Sequence, residues 1–221
     1  MATYVFGDIH GCFLTLMALL EKLNVTDEDT LIFDGDLVDR GKRIREVLGW
    51  VLNRKKEIPE KTRIVLGNHD ISLIDWFNVG GVERNAFMYN QGLEDTLKQL
   101  WPNAREYASD LKKYGEDVIF SPDGKYVFCH ADYNWAPNEK FNYEHYWTRI
   151  DKYTHANYKG PIIVHGHTPC MSKDIYLYNK DNELIAINLD GGAVYHERMK
   201  FACLRAFNAE TGEITEQITL D

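Results

Sequence analysis

Four short segments, each closing an apolar and often β-branched run with Asp, His or Asn, constrain this chain more than any other feature. Tyr4-Val5-Phe6 leads into Gly7-Asp8-Ile9-His10-Gly11, and Leu31-Ile32-Phe33 precedes Gly35-Asp36-Leu37-Val38-Asp39-Arg40-Gly41. Ile64-Val65-Leu66 leads into Gly67-Asn68-His69-Asp70, and Ile162-Ile163-Val164 into His165-Gly166-His167-Thr168. Short apolar runs of this kind read as buried strands. Polar residues placed directly after them stand at the carboxyl ends of a sheet, where α/β proteins build their sites. One such segment is a turn. Four in order bring oxygen and imidazole ligands together.

The sequence between these segments fits that arrangement. Phe13, Leu14, Leu16, Met17, Leu19, Leu20 and Leu23 read as a largely buried helix ending near Asn24. Ile44, Val47, Leu48, Val51 and Leu52 recur at helical spacing, and Pro59 marks a break before the third strand. Strand–helix alternation of this kind predicts a parallel sheet with right-handed crossovers. From about residue 72 to 115 the pattern is mostly helical, with turns at Asn78-Val79-Gly80-Gly81 and Asn90-Gln91-Gly92, and it is expected to form a helical cap insertion. After Asp117 short strands are predicted at Val118–Phe120, Tyr126–Cys129, Ile162–Val164, Ile175–Tyr178, Leu184–Ile187 and Phe201–Phe207. The expectation is one α/β domain over residues 1–221, with two packed mixed sheets flanked by helices.

Composition removes several function classes. No apolar run reaches the roughly 18–20 residues that span a bilayer, and with a strand beginning at once no signal peptide is expected. A cytoplasmic protein is the expectation. Cys12, Cys129, Cys170 and Cys203 are widely spaced with no C-x-x-C pair, which suits free thiols in a reducing compartment. A phosphatase cysteine with Arg six residues on is excluded, because those positions hold Ala18, Trp135, Tyr176 and Ala209. A formal charge of −9 argues against loose binding to a nucleic-acid backbone. It does not argue against an anionic substrate, since bound divalent ions reverse the local sign.

Ions that activate water favour carboxylate, imidazole and carbonyl oxygen in an open shell. Asp8 and His10 lie two apart beyond a strand and can point to one ion. Asp36, at the next strand end, has lone pairs enough to bridge two. Asn68, His130 and His167 would complete the second.

These segments resemble the metallophosphoesterase motifs of the phosphoprotein phosphatase family, whose fold is calcineurin-like. Gly7–Gly11 matches GDxHG, Gly35–Gly41 matches GDxVDRG, and Gly67–Asp70 reads GNHD where the family usually has GNHE. Cys129-His130-Ala131-Asp132 and Gly166-His167-Thr168-Pro169 are most similar to the bacterial and bacteriophage lambda-type serine/threonine protein phosphatases. The resemblance implies two divalent ions, manganese foremost, with iron, zinc or nickel as alternatives. Asp8 and His10 would hold the first ion, Asp36 both, and Asn68, His130 and His167 the second. Arg40 and Arg149 would grip phosphate oxygens, with Asn68 also facing substrate. His69, its ring held by Asp39, would protonate the leaving group. Hydroxide bridging ions about 3.5–4 Å apart would attack phosphorus in line, without a phosphoenzyme. Asp70 for Glu keeps the charge and is expected to be tolerated.

Each residue also has an ordinary reading. A lone Asp-x-His is more often a turn, and an Asp-Arg pair a salt bridge; only the set overrides this. His145, His155 and His196 read as surface or satisfied histidines. His165 shares a strand face with His167, though the resemblance favours His167 as the ligand. The aromatic residues of segment 133–147 read first as packing under a loop and second as a rim for a phosphopeptide or a flat ring. Asp132 is open between supporting a ligand and facing substrate.

The leading expectation is hydrolysis of phosphoserine and phosphothreonine, with phosphotyrosine open, in protein substrates. The alternative is hydrolysis of dinucleoside polyphosphates, which use similar core motifs. A catalytically silent metal-binding regulator is a third reading, disfavoured because every expected ligand is present. Oligomeric state has no signal here.

Overall fold

The computed structural model describes residues 1–78, 89–133 and 141–221. Strands β1 (Thr3–Phe6), β2 (Thr30–Asp34) and β3 (Thr62–Val65) are parallel, linked by α1 (Phe13–Lys22) and α2 (Ile44–Glu57). After α3 (Asn68–Asn78), a helical turn at Tyr89–Leu93, α4 (Glu94–Leu100) and α5 (Ala104–Tyr114) return the chain to β4 (Gly115–Glu116), parallel to β3. The second sheet holds β5 (Ile119–Phe120), β6 (Tyr126–Phe128), β7 (Ile162–His165), β8 (Tyr176–Tyr178) and β9 (Leu184–Asn188) in the order β5-β6-β7-β9-β8. The chain then re-enters the first sheet through antiparallel β10 (Cys203–Asn208) and β11 (Ile214–Ile218), giving β11-β10-β1-β2-β3-β4. Two mixed sheets flanked by helices are thus observed, as expected.

Alternation along each strand explains the layering. On the first sheet, Phe6, Phe33, Ile64 and Leu204 turn towards the helices, where Leu16, Leu48, Leu73, Leu100 and Leu111 join them in one core. Val5, Ile32, Val65 and Phe207 point the other way and meet Tyr126, Phe128, Val164 and Ile187 of the second sheet. The described helices of segment 72–115 therefore share the core of α1 and α2; residues 79–88 of that segment lie outside the described residues.

β4 and β11 were not expected. β4 has only two residues, and β11, Ile-Thr-Glu-Gln-Ile, lacks apolar alternation because it is a half-buried edge. Such strands are specified by their partners rather than by their own pattern.

Neither helix that follows a ligand segment carries its own side-chain cap. The Asp221 carboxylate accepts the backbone N–H groups of Leu14 and Thr15 at 3.1 and 3.0 Å, serving α1 from 206 residues away. Gln99 of α4 serves α2 by accepting from Ile44 N–H at 2.9 Å while donating to Gly41 O at 2.9 Å. Asp221→Ala is expected to cost about 1 kcal/mol, the usual loss of a helix cap. Urea denaturation at constant manganese checks this, and an unchanged midpoint would remove the capping role.

Candidate metal centre and active site

The site sits where the carboxyl ends of both sheets meet. Asp8 and His10 follow β1, Asp36 follows β2, Asn68 and His69 open α3 after β3, His130 follows β6, and His167 follows β7. Backbone bonds tie these loops to one another. His10 N–H donates to Asp36 O at 2.8 Å, His69 N–H to Asp36 Oδ1 at 3.0 Å, and His167 N–H to Asp8 Oδ1 at 3.1 Å. Asp70 accepts from Leu37 N–H at 3.1 Å and Gly67 N–H at 3.0 Å, so the shorter carboxylate staples two ligand loops together.

Holding so many side chains towards one point strains the backbone. His10, Asp36, Asp39, Arg40 and His167 have φ of 44°, 50°, 69°, 67° and 69°. Left-handed backbone is uncommon for residues with a Cβ and gathers at functional sites. Glycine at position 166 is required for a different reason. A Cβ there would lie 1.9 Å from Asp8 Oδ1. Gly166→Ala is accordingly expected to displace Asp8 and weaken metal affinity by about 10–100-fold. The manganese dependence of Tm checks it; an unaltered titration would mean that Asp8 is not a ligand.

Two clusters of converging donors emerge among the described residues: Asp8, Asp36 and His130, and His10, Asp36 and His69. All are buried, and Asp36 belongs to both. The imidazole bonding shows whether an ion fits. His10 Nδ1 donates to Val38 O at 2.6 Å, which leaves Nε2 with its lone pair turned inward. His130 Nδ1 donates to Asp34 O at 2.9 Å, so its Nε2 faces Asn68 Oδ1 at 3.1 Å and Asp36 Oδ1 at 3.4 Å. Three acceptor atoms at such distances hold together only around a proton or a cation. His167 Nδ1 lies 3.0 Å from the same Asn68 Oδ1. Imidazoles fixed through one nitrogen to a backbone carbonyl are the usual preparation of metal-ligating histidines. The donor set fits divalent ions.

Electrostatics agree. Burial, with Asp190 nearby, pushes the Asp8 carboxyl well above its usual range. Burial also works against the charge of Asp36, but His130, His69 and His10 around it outweigh that and hold its pKa well below the usual value. Burial disfavours charge on His130, yet Asp36 and then Asp8 raise its pKa well above normal. His167 is pushed down to about 3, by burial first and then by His130, with Arg149 among the lesser contributors.

The remaining expected residues fall as follows. His69 Nδ1 donates to Asp39 Oδ2 at 2.6 Å, leaving Nε2 towards the centre. Arg40 reaches His10 Nε2 at 2.5 Å and His69 Nε2 at 2.7 Å. Arg149 is exposed and near enough to His167 to depress its pKa. His165 is buried and bonded to Gly166 O at 3.0 Å, in neither donor cluster; burial lowers its pKa to about 4. His155, buried, bonds Asp132 at 2.9 Å, and Asp132 also accepts Tyr133 N–H at 2.6 Å. Phe141, Tyr146 and Trp147 pack on the helical core, with the Trp147 ring 6.3 Å from His167. Residues 134–140 of the aromatic segment lie outside the described residues.

Three residues at the site were not singled out. Thr96 of α4 binds both Asp39 N–H, at 3.1 Å, and the Asp39 carboxylate, fixing the partner of His69. A threonine within Glu-Asp-Thr-Leu-Lys gives no sequence signal. Asp190, buried, follows β9 and accepts Gly192 N–H at 2.9 Å; burial raises its pKa to about 6. Leu189-Asp190-Gly191-Gly192 after a strand repeats the pattern of the other segments and could have been read. Tyr195 places its ring 5.5 Å from the Arg40 guanidinium carbon.

Comparison with known proteins agrees with this geometry. Residues 1–194 match the calcineurin-like phosphoesterase family. The symmetrical bis(5'-nucleosyl)-tetraphosphatase of Salmonella paratyphi C (strain RKS4594) is 46% identical over 134 residues, 59% of this chain and 43% of that protein. Its counterpart in Salmonella typhimurium is 46% identical over 86 residues, 38% of this chain and 28% of its own. The chain thus spans less than half the length of these curated relatives. A solved structure named as a candidate diadenosine tetraphosphatase superposes with a TM-score of 0.66 at 22% identity, covering 97% of this chain and 92% of its own. A Saccharomyces cerevisiae serine/threonine phosphatase similar to human PP5 gives 0.65 at 16% identity, covering 100% and 81%. These two show the fold alone. The lambda-type phosphatases expected from the Cys-His-Ala-Asp and Gly-His-Thr-Pro segments are not where these sequence relatives fall; they are tetraphosphatases. Family match, strand-end ligands and a shared Asp36 agree that this chain belongs to the calcineurin-like phosphoesterases and is a metallophosphoesterase hydrolase.

Proposed function

We propose that this chain hydrolyses dinucleoside polyphosphates, with bis(5'-nucleosyl) tetraphosphates as the substrate class. The observation that carries the reading is the 46% identity over 134 residues with a symmetrical tetraphosphatase. The donor clusters alone do not favour one phosphate ester over another, because each presents phosphorus to the same residues.

Two divalent ions held by Asp8, His10, Asp36, Asn68, His130 and His167 would supply Lewis acidity and an activated water near neutral pH. The protein's own residues do the rest. Arg40, and Arg149 beside His167, bind phosphate oxygens through guanidinium N–H groups, which suit bidentate contact. His69 is oriented by its 2.6 Å bond to Asp39, itself braced by Thr96, and its Nε2 lies 2.7 Å from Arg40, the proposed phosphate-binding group. With Nε2 also protonated, His69 would pass that proton to the departing oxygen. Buried walls around Asp36, Asn68 and His130 keep competing water from these groups.

The test is a side-by-side assay of chelator-stripped protein restored with manganese, given diadenosine tetraphosphate and a phosphoserine peptide. Faster turnover of the tetraphosphate, with two equal nucleoside diphosphates as products, is expected. Faster turnover of the phosphopeptide would replace this reading with protein dephosphorylation, the other activity the motifs suggest.

A further inference from the structure

We infer that Tyr195 is a positioning residue for the reaction, its ring holding the Arg40 guanidinium over the reaction centre and so setting phosphate affinity. The inference rests on the proposed role of Arg40 as a phosphate-binding group. It does not depend on which phosphate ester is the substrate.

Arg40 is exposed, and a long exposed side chain has many rotamers to lose before it can grip an oxyanion. Its guanidinium makes three described contacts: His10 Nε2, His69 Nε2 and the face of Tyr195, 5.5 Å from the ring centroid. The two imidazole nitrogens have other work. His10 Nε2 is the lone pair that a metal would take, because Nδ1 is committed to Val38 O. His69 Nε2 is the atom turned towards the departing oxygen, because Nδ1 is committed to Asp39. Only the aromatic face holds the cation without competing for a catalytic atom. It attracts the guanidinium through the ring quadrupole and leaves its N–H edges free for oxygen.

The backbone that carries the ring is well anchored. Tyr195 lies at the end of a short helical turn, Ala193–Tyr195, that follows Asp190 and a left-handed Gly192 with φ of 66°. Its N–H donates to Gly192 O at 2.8 Å, and its carbonyl accepts from Arg198 and Met199 N–H, each at 2.8 Å. A platform fixed on the β9–β10 connection thus meets an arginine carried on the β2–α2 loop. The two are 155 residues apart in the sequence and meet only through the fold. Burial is the first cause of the raised Tyr195 pKa, so the neutral ring persists at physiological pH.

The experiment is calorimetric binding of inorganic phosphate to the manganese-loaded protein, with KM and kcat on an aryl phosphate alongside. Tyr195→Leu is expected to weaken phosphate binding and raise KM by about three- to thirtyfold, while Tyr195→Phe stays within about twofold of the parent. In an Arg40→Ala background, Tyr195→Leu should have no further effect, since the ring acts through that arginine. Additive losses in the double variant, or equal losses for Phe and Leu, would overturn the inference. So would unchanged phosphate binding in Tyr195→Leu while Arg40→Ala weakens it. Unchanged binding in Arg40→Ala itself would instead overturn the role of Arg40, and this inference with it. If the leucine variant does not fold, Tyr195→Met, which keeps the volume without a π face, takes its place.

Discussion

Asp36→Asn is expected to lower kcat by on the order of a thousandfold, equivalent to about 4 kcal/mol of transition-state stabilisation. The size follows from position. Asp36 is the residue common to both donor clusters, with Oδ2 3.3 Å from His10 Nε2 and Oδ1 3.4 Å from His130 Nε2. An amide keeps the shape but removes the charge that keeps His130 protonated or cation-bound, and it replaces one carboxylate oxygen by an N–H group that no cation can use. Steady-state kinetics with saturating manganese would measure the loss, and the manganese dependence of Tm would show whether ion binding fell with it. Near-normal turnover would mean that Asp36 does not serve both clusters.

His69→Asn carries the second large effect, and its pattern matters more than its size. A positioned general acid contributes about 10²–10⁴-fold where the leaving oxygen needs a proton. An alkyl phosphate should therefore lose that much rate, whereas a nitrophenyl phosphate, whose leaving group departs as a stable anion, should lose far less. The geometry behind this is the 2.6 Å bond from His69 Nδ1 to Asp39, with Thr96 on the other carboxylate oxygen. Rates on the two esters, compared for parent and variant, provide the check. Equal losses on both would assign His69 to binding rather than proton transfer.

The parts of this protein that could be read from its sequence are those specified locally. Asp8, His10, Asp36, Asn68, His130 and His167 each stand within four residues of the end of an apolar run, and strand-then-ligand is a short-range pattern. The two-sheet architecture was readable for the same reason, since buried strands announce themselves by continuous apolar runs. Thr96, Gln99 and Asp221 were not, because each acts on a loop 55 or more residues away and nothing in its own neighbourhood marks it. β11 escaped because an edge strand with half-buried polar residues has no alternation to read. Substrate choice lay further out of reach: the same ligand set serves several phosphate esters, and the Cys-His-Ala-Asp segment suggested a subgroup that the sequence relatives do not share.

The two borrowed caps carry a consequence for the order in which this site comes into being during synthesis. The first three strands pair over 27 to 31 residues, far less than the separation of β1 from β10, and that pairing brings Asp8, His10, Asp36 and Asn68 to one edge. That partial edge has neither His130 nor His167, and α1 and α2 still lack Asp221 and Gln99 at their starts. β1 also waits for β10, some 200 residues later, before its second edge is covered. Long-range pairings of this kind are slow to form. A nascent chain at that stage has four of the six proposed ligands while α1 and α2 lack their caps, and the set is complete only once β6 and β7 bring His130 and His167. Completion of the proposed ligand set is in this way tied to assembly of the second sheet against the first.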